Sequence, residues 1–240
     1  VGLTSPAFAS LPGDLPEGRL VAPEGEPVLW VSEQKPEDAV RIWRRLYADR
    51  ARTGLYPLLL ESLRGDDERP WLAGELKPRP TSEIDGIDVE KQLREWWSLP
   101  RPGWSGLAPP SLPHANPDDT VAEIVLDTDF YGAVRIGLVP AARGADALTA
   151  MGWTGACNNA ETPPISAVLR SWEDRFGAHL VAVGFDTITL AIAAPPTTAE
   201  QAEALAIEHE AFVWDEQHDM SDEEYAEHLQ EARTWEFWWD

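Results

Sequence analysis

Histidine set among carboxylates is the side-chain chemistry of a metal centre, and the C-terminal region offers it. His209 lies in Glu208-His209-Glu210, with Asp215, His218 and Asp219 downstream. On a helical wheel, however, His209 falls in the middle of the apolar arc made by Ala202, Leu205, Ala206, Phe212 and Val213. Glu208 and Glu210 point away from it, and no second histidine follows three or four residues on, as a helical zinc site needs. His209 therefore reads as a hydrogen-bonded core histidine, and no metal is assigned. The acidic run from Asp215 suggests calcium, but Met220 stands where a sharp turn needs Gly and Ala226 where a bidentate Glu is required. Gly103-Trp104-Ser105-Gly106 resembles part of a nucleophile elbow without its second flanking glycine or a preceding strand. Cys157 has no activating neighbour, and no glycine loop for phosphate or dinucleotide appears. No catalytic residue and no cofactor are assigned.

The residues that remain as candidates for binding are Arg170, Glu173, Asp186, His209, Trp235 and Trp239. Arg170 shares the polar face of one helix with Glu173 and Asp174 and is placed to pair with either acid. Trp235 and Trp239 belong to a Trp-rich terminus that suits either a stacking platform or a cover for a sheet. His209 and Asp186 would border a pocket between the helix that bears His209 and the hairpin over 179–193.

These residues need elements to hold them. Val28 to Val31 reads as a short buried strand, and Pro36 opens a helix with Ala39, Val40, Trp43, Leu46 and Tyr47 at helical spacing. Arg41, Arg44, Arg45 and Arg52 lie on its other face, Gly54 ends it, and Tyr56 to Leu60 follows as a covered strand. Strand, helix, strand of this length predicts a small βαβ unit. Residues 88–97 form a second helix. Six prolines between Pro100 and Pro117 exclude helix and central strand, so 98–119 is predicted to be a linker or long crossing loop. It divides an N-terminal α/β region (1–97) from a C-terminal α+β domain (120–240). The first 27 residues, rich in Pro and Gly, are predicted to wrap a surface. Residues 120–131 suit helix and strand equally.

Beyond them, 135–139 predicts a strand and 144–152 a short helix. Thr162-Pro163-Pro164 opens a longer helix whose stripe runs through Ile165, Val168, Leu169, Trp172 and Phe176 to a cap at Gly177. Two strands flank Asp186-Thr187, and Thr197 with Glu200, then Ser221 with Glu224, offer capping boxes for two more helices. Trp235, Phe237 and Trp239 share one face of a last strand. The predicted class is α+β, with a ferredoxin-like or split-βαβ sandwich in the C-terminal half.

The formal net charge is −23, and residues 200–240 carry 14 carboxylates against the single base Arg233. Such a surface repels phosphate backbones, which argues against nucleic acid, and it favours a basic protein partner or plain solubility. The Arg-rich helix could instead neutralise those carboxylates within the fold. No apolar run reaches the length of a membrane span, and Val1 to Leu15 lacks the order of a signal peptide. One cysteine allows no internal disulfide and fits a cytoplasmic setting.

Arg170-Ser-Trp-Glu-Asp-Arg-Phe-Gly-Ala178, the hairpin at Gly184-Phe-Asp-Thr187, the helix through Ala206 and His209, and Trp235 to Asp240 resemble an actinobacterial family. That family is classified as a domain of unknown function, number 4253. Gly137-Leu-Val-Pro140 and Gly152-Trp-Thr-Gly155 fit its opening, and Leu29 through Leu60 is similar to the upstream part of such proteins. Members often carry Phe-Cys-Pro-Asp where this chain has Phe212-Val-Trp-Asp215, so any role of that cysteine is absent here. The resemblance implies a fold unit in a bacterial cytosol, and no activity. Two readings of function stay open: a non-catalytic interaction or regulatory protein, such as an inhibitor of a basic partner, and an enzyme or small-molecule binder with its pocket near His209.

Overall fold

A computed structural model describes residues 6–9, 11–97, 103–104, 106–113, 115–127, 133–213 and 219–239. Its organising element is one seven-stranded sheet, and the most apolar strand stands at the centre of it. The strands are β1 (Gly18–Val21), β2 (Leu29–Ser32), β3 (Leu55–Leu60), β4 (Arg135–Pro140), β5 (Ala178–Val183), β6 (Thr187–Ile192) and β7 (Thr234–Trp238), in the order β1-β2-β4-β3-β5-β6-β7. All six residues of β3 are buried, as a strand covered on both faces requires. It pairs antiparallel with β4 and parallel with β5.

The α+β class read from the sequence holds, while the strand order departs from the ferredoxin-like arrangement predicted for the C-terminal half. β5, β6 and β7 are simple antiparallel neighbours, and β3, from the N-terminal region, separates β4 from β5. The split βαβ motif exists, but further upstream. β2 and β3 each run antiparallel to β4, so they are parallel to one another, joined through helix α1 (Ala39–Thr53) with β4 inserted between them. Hydrogen-bonding groups on both sides of β4 are satisfied only by strands from the other side of the Pro-rich stretch. That is why the two regions share a sheet rather than forming two.

The remaining helices are α2 (Val89–Trp96), α3 (Pro117–Asp127), α4 (Gly144–Met151), α5 (Thr162–Phe176), α6 (Ala199–Val213) and α7 (Asp222–Glu231). α1 packs on β3 and against α3, α4 and α5 pack together over β4 and β5, and α2 bridges α5 and α6. The stripe read on α5 is buried throughout, and Gly177 closes the helix with φ 56, its N–H bonded to Glu173 O. The ambiguous 120–131 segment is helical up to Asp127, started by Pro117 at the first helical position, where a missing N–H costs nothing.

Other expectations shift. Residues 18–21 form edge strand β1, which among the described residues pairs only with β2 and so tolerates half-exposed residues. At the first predicted capping box, the N-terminal bond forms one residue later, with Gln201 N donating to Thr198 Oγ1, while the Gln201 side chain accepts from Thr197 N. The Ser221–Glu224 box forms as predicted. The described part of the Pro-rich stretch is a docked crossing loop, with Ser111 N donating to Arg175 O and Ser111 Oγ to Pro195 O. Ser105 of the elbow-like motif and the acidic run Asp215 to His218 lie outside the described residues.

Candidate functional site

His209 is enclosed by rings. It is 2% exposed, with Trp172, Trp235 and Phe237 at centroid distances of 4.8, 4.6 and 4.9 Å. Its Nδ1 lies 2.9 Å from the Tyr225 hydroxyl. Trp172 in turn stacks on Phe237 at 5.3 Å and meets Trp235 edge-on at 5.7 Å. Each fully buried indole removes enough area from water for roughly 4–6 kcal/mol of transfer free energy. These rings, supplied by α5 and β7, pack directly against His209 on α6. Trp235 and Trp239, 3% and 2% exposed, belong to the core and offer no open stacking face. Asp186 stays at the hairpin turn, where its backbone carbonyl accepts from Trp239 N.

Glu208 does not face solvent. Its carboxylate is fully buried and takes a forked bond from Arg175, at 2.8 and 2.6 Å. Trp172 Nε1 and Ala108 N complete its coordination at 2.9 and 2.6 Å. Four donors on two oxygens compensate the lost hydration, and Ala108 thereby pins the crossing loop to α5 and α6. This is a structural ion pair.

Arg170 and Glu173 take partners other than each other. Arg170 reaches Asp146 at 2.5 Å and Asp85 at 2.7 Å, while Arg143 takes Glu173 at 3.1 Å and Asp174 at 2.7 Å. Burial pushes the Glu173 carboxyl above its ordinary value, against the pull of Arg143.

A second polar group gathers where β3 and β5 begin. The Tyr47 hydroxyl donates to Asp118 Oδ1 at 3.2 Å and lies 3.1 Å from His179 Nδ1. Arg50 holds the same Asp118 oxygen at 2.5 Å and covers the Tyr47 ring at 3.8 Å. Burial would raise the Asp118 carboxyl, but the Arg50 bond outweighs it and the group is held below its usual range. Burial, assisted by Arg50 and Arg143, lowers His179 to about 4. At neutral pH its ring is therefore uncharged. An ionised carboxylate only accepts, so the Tyr47 proton goes to Asp118 and the Tyr47 oxygen accepts from His179 Nδ1–H, leaving a bare Nε2. A groove of about 490 Å³ between α1 and α3 opens above this chain, lined by Arg44, Tyr47, Arg50, Asp118, Asp119 and Glu123.

The acidic face forms a third feature. Glu200, Glu203, Asp219, Asp222, Glu223, Glu224, Glu227 and Glu231 are exposed along and between α6 and α7. The arginines of α1 do not neutralise them: Arg41, Arg45, Arg50 and Arg52 pair with Asp38, Asp14, Asp118 and Asp49. A cavity of about 350 Å³ opens on this face, with Trp97 and Ile207 as apolar walls and Glu203, Glu210, Asp222 and Glu223 around it. Among the described residues, no group of three or more His, Cys, Asp or Glu has the placement to hold a metal.

The segment that carries α6, α7 and the His209 cage also answers to a known family. Residues 135–240 match DUF4253, a domain of unknown function. No curated protein and no solved structure matches the chain. The DUF4253 segment contributes β4 to β7 with α4 to α7, and it includes the Glu208–Arg175 pair and His179. Tyr47, Arg50 and Asp118 lie upstream of it, so the polar chain is completed from outside the DUF4253 segment. Sequence reasoning missed that chain because its members come from three distant segments. Only Tyr47 carried a signal, as a polar tip on the apolar stripe of α1.

Proposed function

We propose that this chain is a non-catalytic interaction or regulatory protein that takes a basic protein partner on the α6–α7 face. The observation that carries the reading is the destination of the α1 arginines: each ion pair they form uses a carboxylate upstream of residue 120. The α1 arginines therefore do not screen the exposed carboxylates of α6 and α7, and long-range attraction by such a face speeds encounter with a basic surface. The cavity bounded by Trp97 and Ile207 adds apolar contact for the stem of a lysine or arginine, with carboxylates in reach of its head. The same charge disfavours nucleic acid. No described helix is long and apolar enough to cross a membrane. The reading places the protein in the cytoplasm of a bacterium, of the actinobacterial kind that the sequence resemblance implies.

Charge reversal tests it. The intact chain, immobilised, retains basic proteins from an extract of its source cells at low salt and releases them as salt rises. The variant Glu223→Lys/Glu227→Lys/Glu231→Lys, all exposed positions, retains none of them. Capture that is indifferent to salt, or unchanged in the variant, defeats the reading.

A further inference from the structure

The groove between α1 and α3 separates charges of opposite sign that the fold leaves uncompensated. Arg44 projects from α1 on one wall, and Asp119 and Glu123, four residues apart on one face of α3, line the other. Among the described residues none of these three forms an ion pair, although the neighbouring Arg50 and Asp118 do. The floor is rigid and polar: Tyr47, 1% exposed, is clamped between Trp43, stacked at 4.6 Å, and the Arg50 guanidinium. A volume of about 490 Å³ lies within the range of small-molecule sites.

We propose that this groove binds a zwitterion of amino-acid or dipeptide size, its carboxylate on Arg44 and its ammonium on Asp119 and Glu123. The wall charges select that class. A simple anion would gain Arg44 but face three carboxylates, counting Asp118. A simple cation would gain Asp119 and Glu123 but face Arg44 and Arg50. Only a molecule bearing both signs meets each wall with its complement. The site lies apart from the α6–α7 face, and its occupancy does not depend on a basic partner.

The test begins with the intact chain and the free amino acids and glycine-containing dipeptides at millimolar concentration, read by thermal shift. The best of these is then compared by calorimetry with its N-acetyl derivative, which lacks the cation, and its C-terminal amide, which lacks the anion. The zwitterion is expected to bind about tenfold tighter than either. Arg44→Gln removes its advantage over the amide, and Asp119→Asn/Glu123→Gln removes its advantage over the acetyl form. All three positions are exposed, so the variants keep the fold, and circular dichroism checks that. The triple reversal on α7 leaves the affinity unchanged. No shift and no heat from any zwitterion, or equal affinity in all these variants, overturns the proposal.

Discussion

Single residues in this protein are defined by what lies across from them rather than by their neighbours in sequence. Glu208 stands three residues after Leu205 and four before Phe212, so helical spacing did turn it inward. Its glutamate identity and the surrounding acidic run masked that signal, and its partner Arg175 could not be chosen without the fold. His209, by contrast, was legible as a core histidine because its neighbours on the wheel are all apolar. His179 offers a measurable consequence. In the unfolded chain it takes up a proton near 6.5, and in the fold only near 4. Between those values the unfolded state binds more protons, so this group makes stability fall as pH falls, by up to about 1.4 kcal/mol per pH unit. Glu61, Glu173 and Glu236, all raised by burial, act in the opposite direction below neutrality. Comparing urea stability of the wild type and His179→Asn from pH 7 to about 4 isolates the histidine. The variant should lose less stability over that range, and parallel curves would refute the assignment.

At the level of elements, stops were easier to read than pairings. Gly54, Gly152 and Gly177 each end a helix with positive φ, a role that local sequence sets by itself. Strand neighbours depend on chain returning from far away, so nothing in Leu55–Leu60 says that β4 and β5 will flank it. The glycine caps also differ in their surroundings. A Cβ at Gly54 would meet nothing within 4 Å, whereas at Gly152 it would lie 2.1 Å from the backbone of Lys77 and Pro78. Lys77 N also donates to Gly152 O, so this contact fastens the 77–78 segment to α4. Gly54→Ala should cost only the left-handed penalty, about 1–2 kcal/mol. Gly152→Ala adds overpacking against backbone and should cost roughly 2–5 kcal/mol. Chemical denaturation of both variants decides it, and equal losses would show that the 77–78 segment yields freely.

On the scale of the molecule, charge and class were visible in composition, while the way the two regions combine was not. Prolines at 100–117 announce a break in regular structure, yet they carry no information about whether the chain then rejoins the same sheet. It does: β3 fills the gap between β4 and β5, both of which lie within 135–240. Produced alone, that segment would leave β4 without a partner on either edge and β5 with one edge open where the apolar central strand is absent. It is expected to be insoluble or to lack native near-ultraviolet dichroism, and co-expression with residues 1–134 should restore both. A soluble, cooperatively unfolding 135–240 fragment would contradict this. The same interleaving imposes a schedule on biosynthesis. Leu55–Leu60 leaves the ribosome early, but its first partner strand emerges roughly 75 residues later, some 4–15 s at ordinary elongation rates, and its second later still. Throughout that interval the nascent chain exposes its greasiest ribbon with both flanks open, which makes it a natural client for a ribosome-associated chaperone.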